Sequence, residues 1–228
     1  MIAHKKEFYG GIAMMLAFIV VMMIIFSPVF NGKNGLQYMD DLYNCISKGS
    51  AYTIPQLKEK ANKFMGNTVN ATLAMKDNEQ AEKTASLLKK AGVAVTISGF
   101  ELKVTGDFGK ILIHCLGDAD LMYNNNGRAL ASKYNYNERE VMYNWWVALK
   151  AMDRELKKQK KFQESKTIGE VSKKGVELSY NYYKVEPQKL VDRLGVVIFS
   201  LVFYVAYTLW YGFSIMFMFE GWGMKLEH

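Results

Sequence analysis

Histidine and cysteine are scarce in this sequence, and their scarcity narrows the chemistry. The three histidines are His4, His114 and His228, and none lies in a long apolar stretch. A haem held between two membrane helices by histidine pairs within the chain is therefore excluded. The two cysteines, Cys45 and Cys115, are far apart and form no C-x-x-C, so covalent haem, iron–sulfur and zinc motifs are missing. The two can pair in an oxidising compartment or serve as separate buried thiols. No glycine-rich loop precedes Lys-Ser/Thr, which removes a P-loop. Asp118 and Asp120 are separated by one residue, so on a helix their side chains point apart. His114 and Cys115 are adjacent and cannot face each other on one helix as base and nucleophile; a structural histidine is the expectation. These gaps predict no catalytic residue, no metal and no cofactor.

Charge is missing from two blocks. The first, Phe8 to Phe30, would rise ~34 Å as a helix, against a hydrocarbon core of ~30 Å. Lys5 and Lys6 precede it, and Ser27-Pro28 with Asn31-Gly32 breaks it. The second block, Leu194 to Phe219, lies between Asp192-Arg193 and Glu220 and is long enough to span with some tilt. Tyr9 and Trp222 sit where aromatic residues favour the headgroup layer. A cleaved signal peptide shares the basic start, but its apolar core is only ~7–15 residues, and no clear A-x-A site follows Phe30. Two retained spans are expected: 8–30 and 194–219, with tails 1–7 and 220–228 and a middle domain 31–193. Tails this short predict no cytoplasmic output domain of the kind a sensor needs.

Lysines orient the arrangement. Lys5 and Lys6 precede the first span, whereas Lys33, Asp40 and Asp41 follow it, which places the termini in the cytoplasm of a bacterial-type inner (plasma) membrane. Around the second span Lys184, Lys189 and Arg193 oppose this and only Lys225 supports it, but long loops translocate largely regardless of charge. The middle domain is expected outside the cytoplasm.

Periodicity gives that domain an α+β class. Leu36, Met39, Leu42, Tyr43 and Ile46 recur at helical spacing, and Ile54-Pro55 opens a second helix to about Phe64. Val69, Ala71 and Leu73 alternate as in a strand; Asp77-Asn78 caps a helix to Lys90. Strands at 93–97 and 100–105, joined at Ser98-Gly99, precede a helix from Gly106-Asp107 carrying Phe108, Ile111, Leu112, Cys115 and Leu116. The small β-α-β-β-α domain, with its core at about 67–122, is thus flanked in sequence by two transmembrane helices and extended by further long helices. Over residues 68–122 its element order is similar to the ring-building modules of bacterial secretion and flagellar basal-body rings. That resemblance, which involves no diagnostic residue, implies assembly. Asn137 with Glu140 opens a long helix over about 138–163, where Val141, Trp145, Leu149, Met152 and Leu156 make a stripe expected to pack on the sheet. Lys157, Lys158, Lys160 and Lys161 end it, where cations suit the dipole.

The net charge of +7 comes from lysines spread among acidic residues, so nucleic acid is not an expected partner; membrane lipids suit such basicity. Inside the second span, Ser200, Tyr204, Tyr207, Tyr211 and Ser214 share one helix face, with Thr208 and Gly212 beside it. Hydroxyls facing lipid lack partners, so this face is expected to meet protein, either the first span or further subunits. Gly10, Ala13 and Ala17 give the first span a small-residue packing face. A non-catalytic, membrane-anchored scaffold or accessory subunit is the expectation, with other membrane subunits or copies of itself as partners. A homo-oligomeric ring or channel, and a cofactor-free subunit of a redox or transport enzyme complex, are the alternatives.

Overall fold

The computed structural model describes residues 2–224. Lys225, His228 and the last part of the tail 220–228 lie outside the described residues. The chain is α+β, mostly helical, and forms two compact units: Ala51–Val185, and a second made of the chain up to Ser50 together with Glu186 onward. Residues 31–50 and 186–193 therefore belong with the apolar helices and not with the middle unit.

In the terminal unit α1 runs Lys5–Phe26 and α10 runs Leu194–Trp222, both long and apolar enough to cross a membrane. Helix α1 stops short of Phe30 because Pro28 forces Ser27 into extended backbone (φ −77°, ψ 149°). Asn31 and Gly32, both with positive φ, reverse the chain in a tight turn closed by Phe30 and Lys33. Helix α2, Gly35–Ser50, follows. It opens on a reciprocal cap: Asn34 Oδ1 accepts from Gln37 N at 2.8 Å, and Gln37 Oε1 accepts from Asn34 N at 3.1 Å. Of its apolar stripe Leu42 is buried, while Leu36 and Tyr43 remain exposed. A short 3-10 turn, Leu190–Arg193, leads into α10, which ends on Gly223 in the left-handed region.

The middle unit begins with α3, Ile54–Asn62, then β1, Thr68–Ala74, and α4, Asn78–Lys90, whose N-cap Asp77 accepts from Gln80 N at 2.8 Å. Strands β2, Ala94–Ser98, and β3, Glu101–Asp107, follow. The sheet order is β1-β3-β2, antiparallel throughout, with Val95 and Ala71 both opposite Val104. The hairpin turn is Gly99-Phe100, and not Ser98-Gly99 as the sequence suggests. Ser98 pairs with Glu101, and Gly99 takes φ +59°, which the first residue of such a two-residue turn requires.

Helix α5, Phe108–Tyr123, is capped by Asp107, and α6, Gly127–Tyr134, follows it. Helix α7, Glu138–Lys158, is capped by Asn137, and all five residues of its stripe are fully buried. It ends before residue 163 because Lys160 turns left-handed (φ 60°). Helix α8, Phe162–Val171, a π-helical turn, Ser172–Glu177, and α9, Leu178–Asn181, then run on continuously. The core centres on Trp145, Phe108, Ile111, Leu112 and Leu116, each worth about 1.5–3 kcal/mol or more on burial. Helix α7 lies against β1, whose outer edge is covered by Gln159 Nε2 donating to Asn70 O at 2.8 Å.

Candidate functional site

Helices α1 and α10 pack side by side along their length. The closest approaches are at glycine. A Cβ on Gly11 would lie 2.7 Å from Met218 N and 2.9 Å from Ser214 O, and one on Gly221 would lie 2.4 Å from Phe8 N. The backbones are thus in contact, and His4 N donates to Gly221 O at 3.0 Å. Beyond Gly11, further along α1, Trp210 Nε1 donates to Met14 O at 3.1 Å, and Phe18 meets the rings of Tyr207 (6.0 Å) and Tyr211 (5.4 Å).

The face of α10 turned to α1 is therefore Tyr207, Trp210, Ser214, Met218 and Gly221. It shares Tyr207 and Ser214 with the hydroxyl stripe, and Ser214 is fully buried there. Ser200 lies nearer the start of the helix. Tyr204 and Tyr211 are 60% and 45% exposed, on the flank of this contact. On α1 the small residues Gly10, Ala13 and Ala17 lie exposed, and a Cβ on Gly10 would meet nothing within 4 Å. The close contact falls one residue along, at Gly11.

The hydroxyls divide into two groups. Ser200, Thr208 and Ser214 each donate to a carbonyl of their own helix (Val197 O, Tyr204 O and Trp210 O) at 2.7–2.8 Å. Such short side chains satisfy themselves in a helix and demand no external partner. With the Ser200 proton so used, Tyr43 of α2 donates to Ser200 Oγ at 2.7 Å. The phenols of Tyr204, Tyr207 and Tyr211 are too long to fold back on the preceding turn. Among the described residues none of the three has a hydrogen-bond partner.

A second polar site, hidden in the sequence, lies inside the middle unit around Asp118. Its side chain is fully buried. Oδ1 accepts from Lys133 Nζ at 2.7 Å; Oδ2 accepts from Tyr134 OH at 2.5 Å and from Trp145 Nε1 at 2.8 Å. The carboxylate thus pins α5, α6 and α7 together. Asp120 points the other way and accepts from Tyr52 OH and Lys58 Nζ. His114 Nε2 lies 2.9 Å from Lys133 Nζ and 3.0 Å from Tyr134 OH. Since the Tyr134 proton is committed to Asp118 and an ammonium only donates, the neutral imidazole accepts from Lys133 and carries its proton on Nδ1. Burial lowers the His114 pKa from 6.5; the Asp118 charge opposes this, while Lys133 and Lys90 add to it. Tyr134 is raised, by burial first and then by Asp118.

Chemically this cluster is a clamp. Asp118 has three donors at hydrogen-bonding distance and no solvent access, which leaves it ill placed to take a proton from a substrate. The neighbouring Cys115 is a free, buried thiol held well above its usual pKa of 9.0 by burial and by Asp118, so it is a poor nucleophile. Cys45 is also free. Among the described residues no group of three or more His, Cys, Asp or Glu side chains is placed to hold a metal. No protein-family model, no curated protein and no solved structure matches the chain.

Proposed function

We propose that this chain is a membrane-anchored, non-catalytic scaffold or accessory subunit of a larger membrane assembly. One observation carries the reading: Tyr204 and Tyr211 stand exposed within four residues of the middle of α10, with hydroxyls that find no hydrogen-bond partner among the described residues. In a hydrocarbon layer such a hydroxyl gains by meeting another polypeptide. The membrane is a bacterial-type inner (plasma) membrane, with the termini cytoplasmic and the middle domain outside.

The test replaces Tyr204 and Tyr211 together by phenylalanine, which keeps the rings and removes the hydroxyls. Each interhelical hydrogen bond contributes ~0.6 kcal/mol on average and at most ~1.7. Losing two weakens association by roughly sevenfold on average and by up to ~300-fold. The expected result is normal insertion with loss of co-purifying chains in mild detergent, read by mass spectrometry. Foreign chains lost means an accessory subunit; copies of the same chain lost means a homo-oligomer. Retention of every partner at unchanged mass removes the support for assembly. Orientation is checked by a reporter fused at Asn125, which is active only outside the cytoplasm; activity of a cytoplasm-only reporter there overturns the topology.

A further inference from the structure

Helix α7 and the π-helical turn with α9 border a groove of about 400 Å3 in the middle unit. Tyr143, Trp146, Tyr180 and Glu177 line it, over the buried Met142 and Val176. Glu177 closes the π-helical turn, a distortion that recurs at binding sites because it displaces side chains from the regular helical positions. Trp146 Nε1 donates to Glu177 Oε1 at 2.7 Å, so carboxylate and indole are fixed to each other. The Tyr143 ring lies nearly parallel to that of Trp146, with centroids 5.9 Å apart. Tyr143 and Tyr180 are both substantially exposed.

The lining thus offers three aromatic rings, one carboxylate and no cation. Ring faces carry negative charge density, and with a carboxylate beside them they complement a compact organic cation. The chain itself displays the preference. The Lys150 ammonium rests 3.6 Å from the Trp146 centroid, and the Arg139 guanidinium lies 5.1 Å from that of Tyr180. Neither cation is among the residues that line the groove, yet each lies over the ring of one that is.

We propose that this groove binds a compact organic cation of the quaternary-ammonium class, and that Lys150 competes with it for the Trp146 face. The same trimethylammonium group occurs free, as in choline, and on lipid headgroups, and either source fits.

The experiment titrates the full chain in maltoside micelles with tetramethylammonium and with choline, by calorimetry and by saturation transfer to the ligand methyls. Saturable binding is expected, and the uncharged isostere 3,3-dimethylbutanol binds at least tenfold more weakly. Glu177→Gln, which keeps an acceptor for Trp146, and Tyr180→Leu each weaken binding roughly fivefold or more. Lys150→Met tightens it, because a competing cation is gone. In nanodiscs of phosphatidylglycerol, loss of choline binding on adding phosphatidylcholine assigns the lipid headgroup as ligand, and unchanged binding assigns a free cation; both uphold the site. The proposal is overturned if no saturable binding occurs, if the neutral isostere binds equally, or if neither Glu177→Gln nor Tyr180→Leu, each with a native circular dichroism spectrum, weakens binding. It is also overturned if Lys150→Met weakens binding, because removal of a competing cation can only strengthen a cation site.

Discussion

Replacing Asp118 with alanine tests the buried clamp. The three donors that meet the carboxylate do not lose equally. Lys133 is partly exposed and can turn its ammonium to water. Tyr134 has a second acceptor in reach, His114 Nε2 at 3.0 Å. Trp145 is fully buried, and its Nε1 donates to Asp118 Oδ2 alone among the described residues. Stranding that indole N–H costs ~1–3 kcal/mol. With the lost charge-assisted bonds, the total reaches the ~3–5 kcal/mol typical of breaking a buried charged pair. For a chain of this size that corresponds to a fall of roughly 6–20 °C in Tm. The assay is thermal unfolding of the full chain in maltoside micelles, followed by near-ultraviolet circular dichroism. The cycle is completed with Trp145→Phe, which removes the donor. If the reasoning holds, Asp118→Ala costs ~1–3 kcal/mol less in that background, because the two residues are coupled. Equal cost in both backgrounds, or a Tm within about a degree of wild type, refutes it.

Two further outcomes are expected. The His114 pKa is lowered from 6.5 in the folded chain, so below that value the unfolded state binds more protons and stability falls as pH drops through the folded pKa. Unfolding midpoints at pH 7.5 and 5.5 should therefore differ less in His114→Gln than in wild type; identical differences remove His114 as the cause. Gly11→Val drives a side chain into Met218 N and Ser214 O, both backbone atoms, whereas Gly10→Val enters open space. Crosslinking of cysteines placed at Phe18 and Tyr207, in a background lacking Cys45 and Cys115, should fall only in the Gly11 variant.

Much of the middle unit was legible because its signals are local. Asp77 and Asn137 announce helix starts, Val69, Ala71 and Leu73 alternate on β1, and the α7 stripe repeats at helical spacing. Helix α6 escaped because Gly127–Tyr134 buries little more than Leu130 and Tyr134, too few apolar positions to show a period. The helical stretch after residue 162 escaped for a different reason. Its π-helical turn breaks the 3.6-residue phase between Ile168 and Val176. The Asp118 site needed the fold itself, since its donors at positions 133, 134 and 145 come from two other helices.

In α10 the face packed on α1 shares Tyr207 and Ser214 with the hydroxyl stripe and is otherwise set by packing. Tight helix pairing is decided by where backbones can touch, which in α10 is at Ser214 and Gly221. That phase takes Trp210 into the contact and turns Tyr204 and Tyr211 away from its centre. The serines and Thr208 are satisfied by their own helix, so the proposal of a partner rests on the tyrosines. A phenol both donates and accepts, so two copies of the Tyr204–Tyr211 face can satisfy each other as readily as a foreign helix can. Thr208 lies between them with its proton already used, and Gly212 adjoins Tyr211 with open space around it, so the face admits a helix at close range. In the proposed assembly the hydroxyls favour a polypeptide neighbour without specifying which. On that proposal, partner choice falls to the shape of the exposed residues around Tyr204 and Tyr211, Phe213 and Val205 among them. Removing the two hydroxyls while leaving those shapes intact separates the strength of association from its specificity.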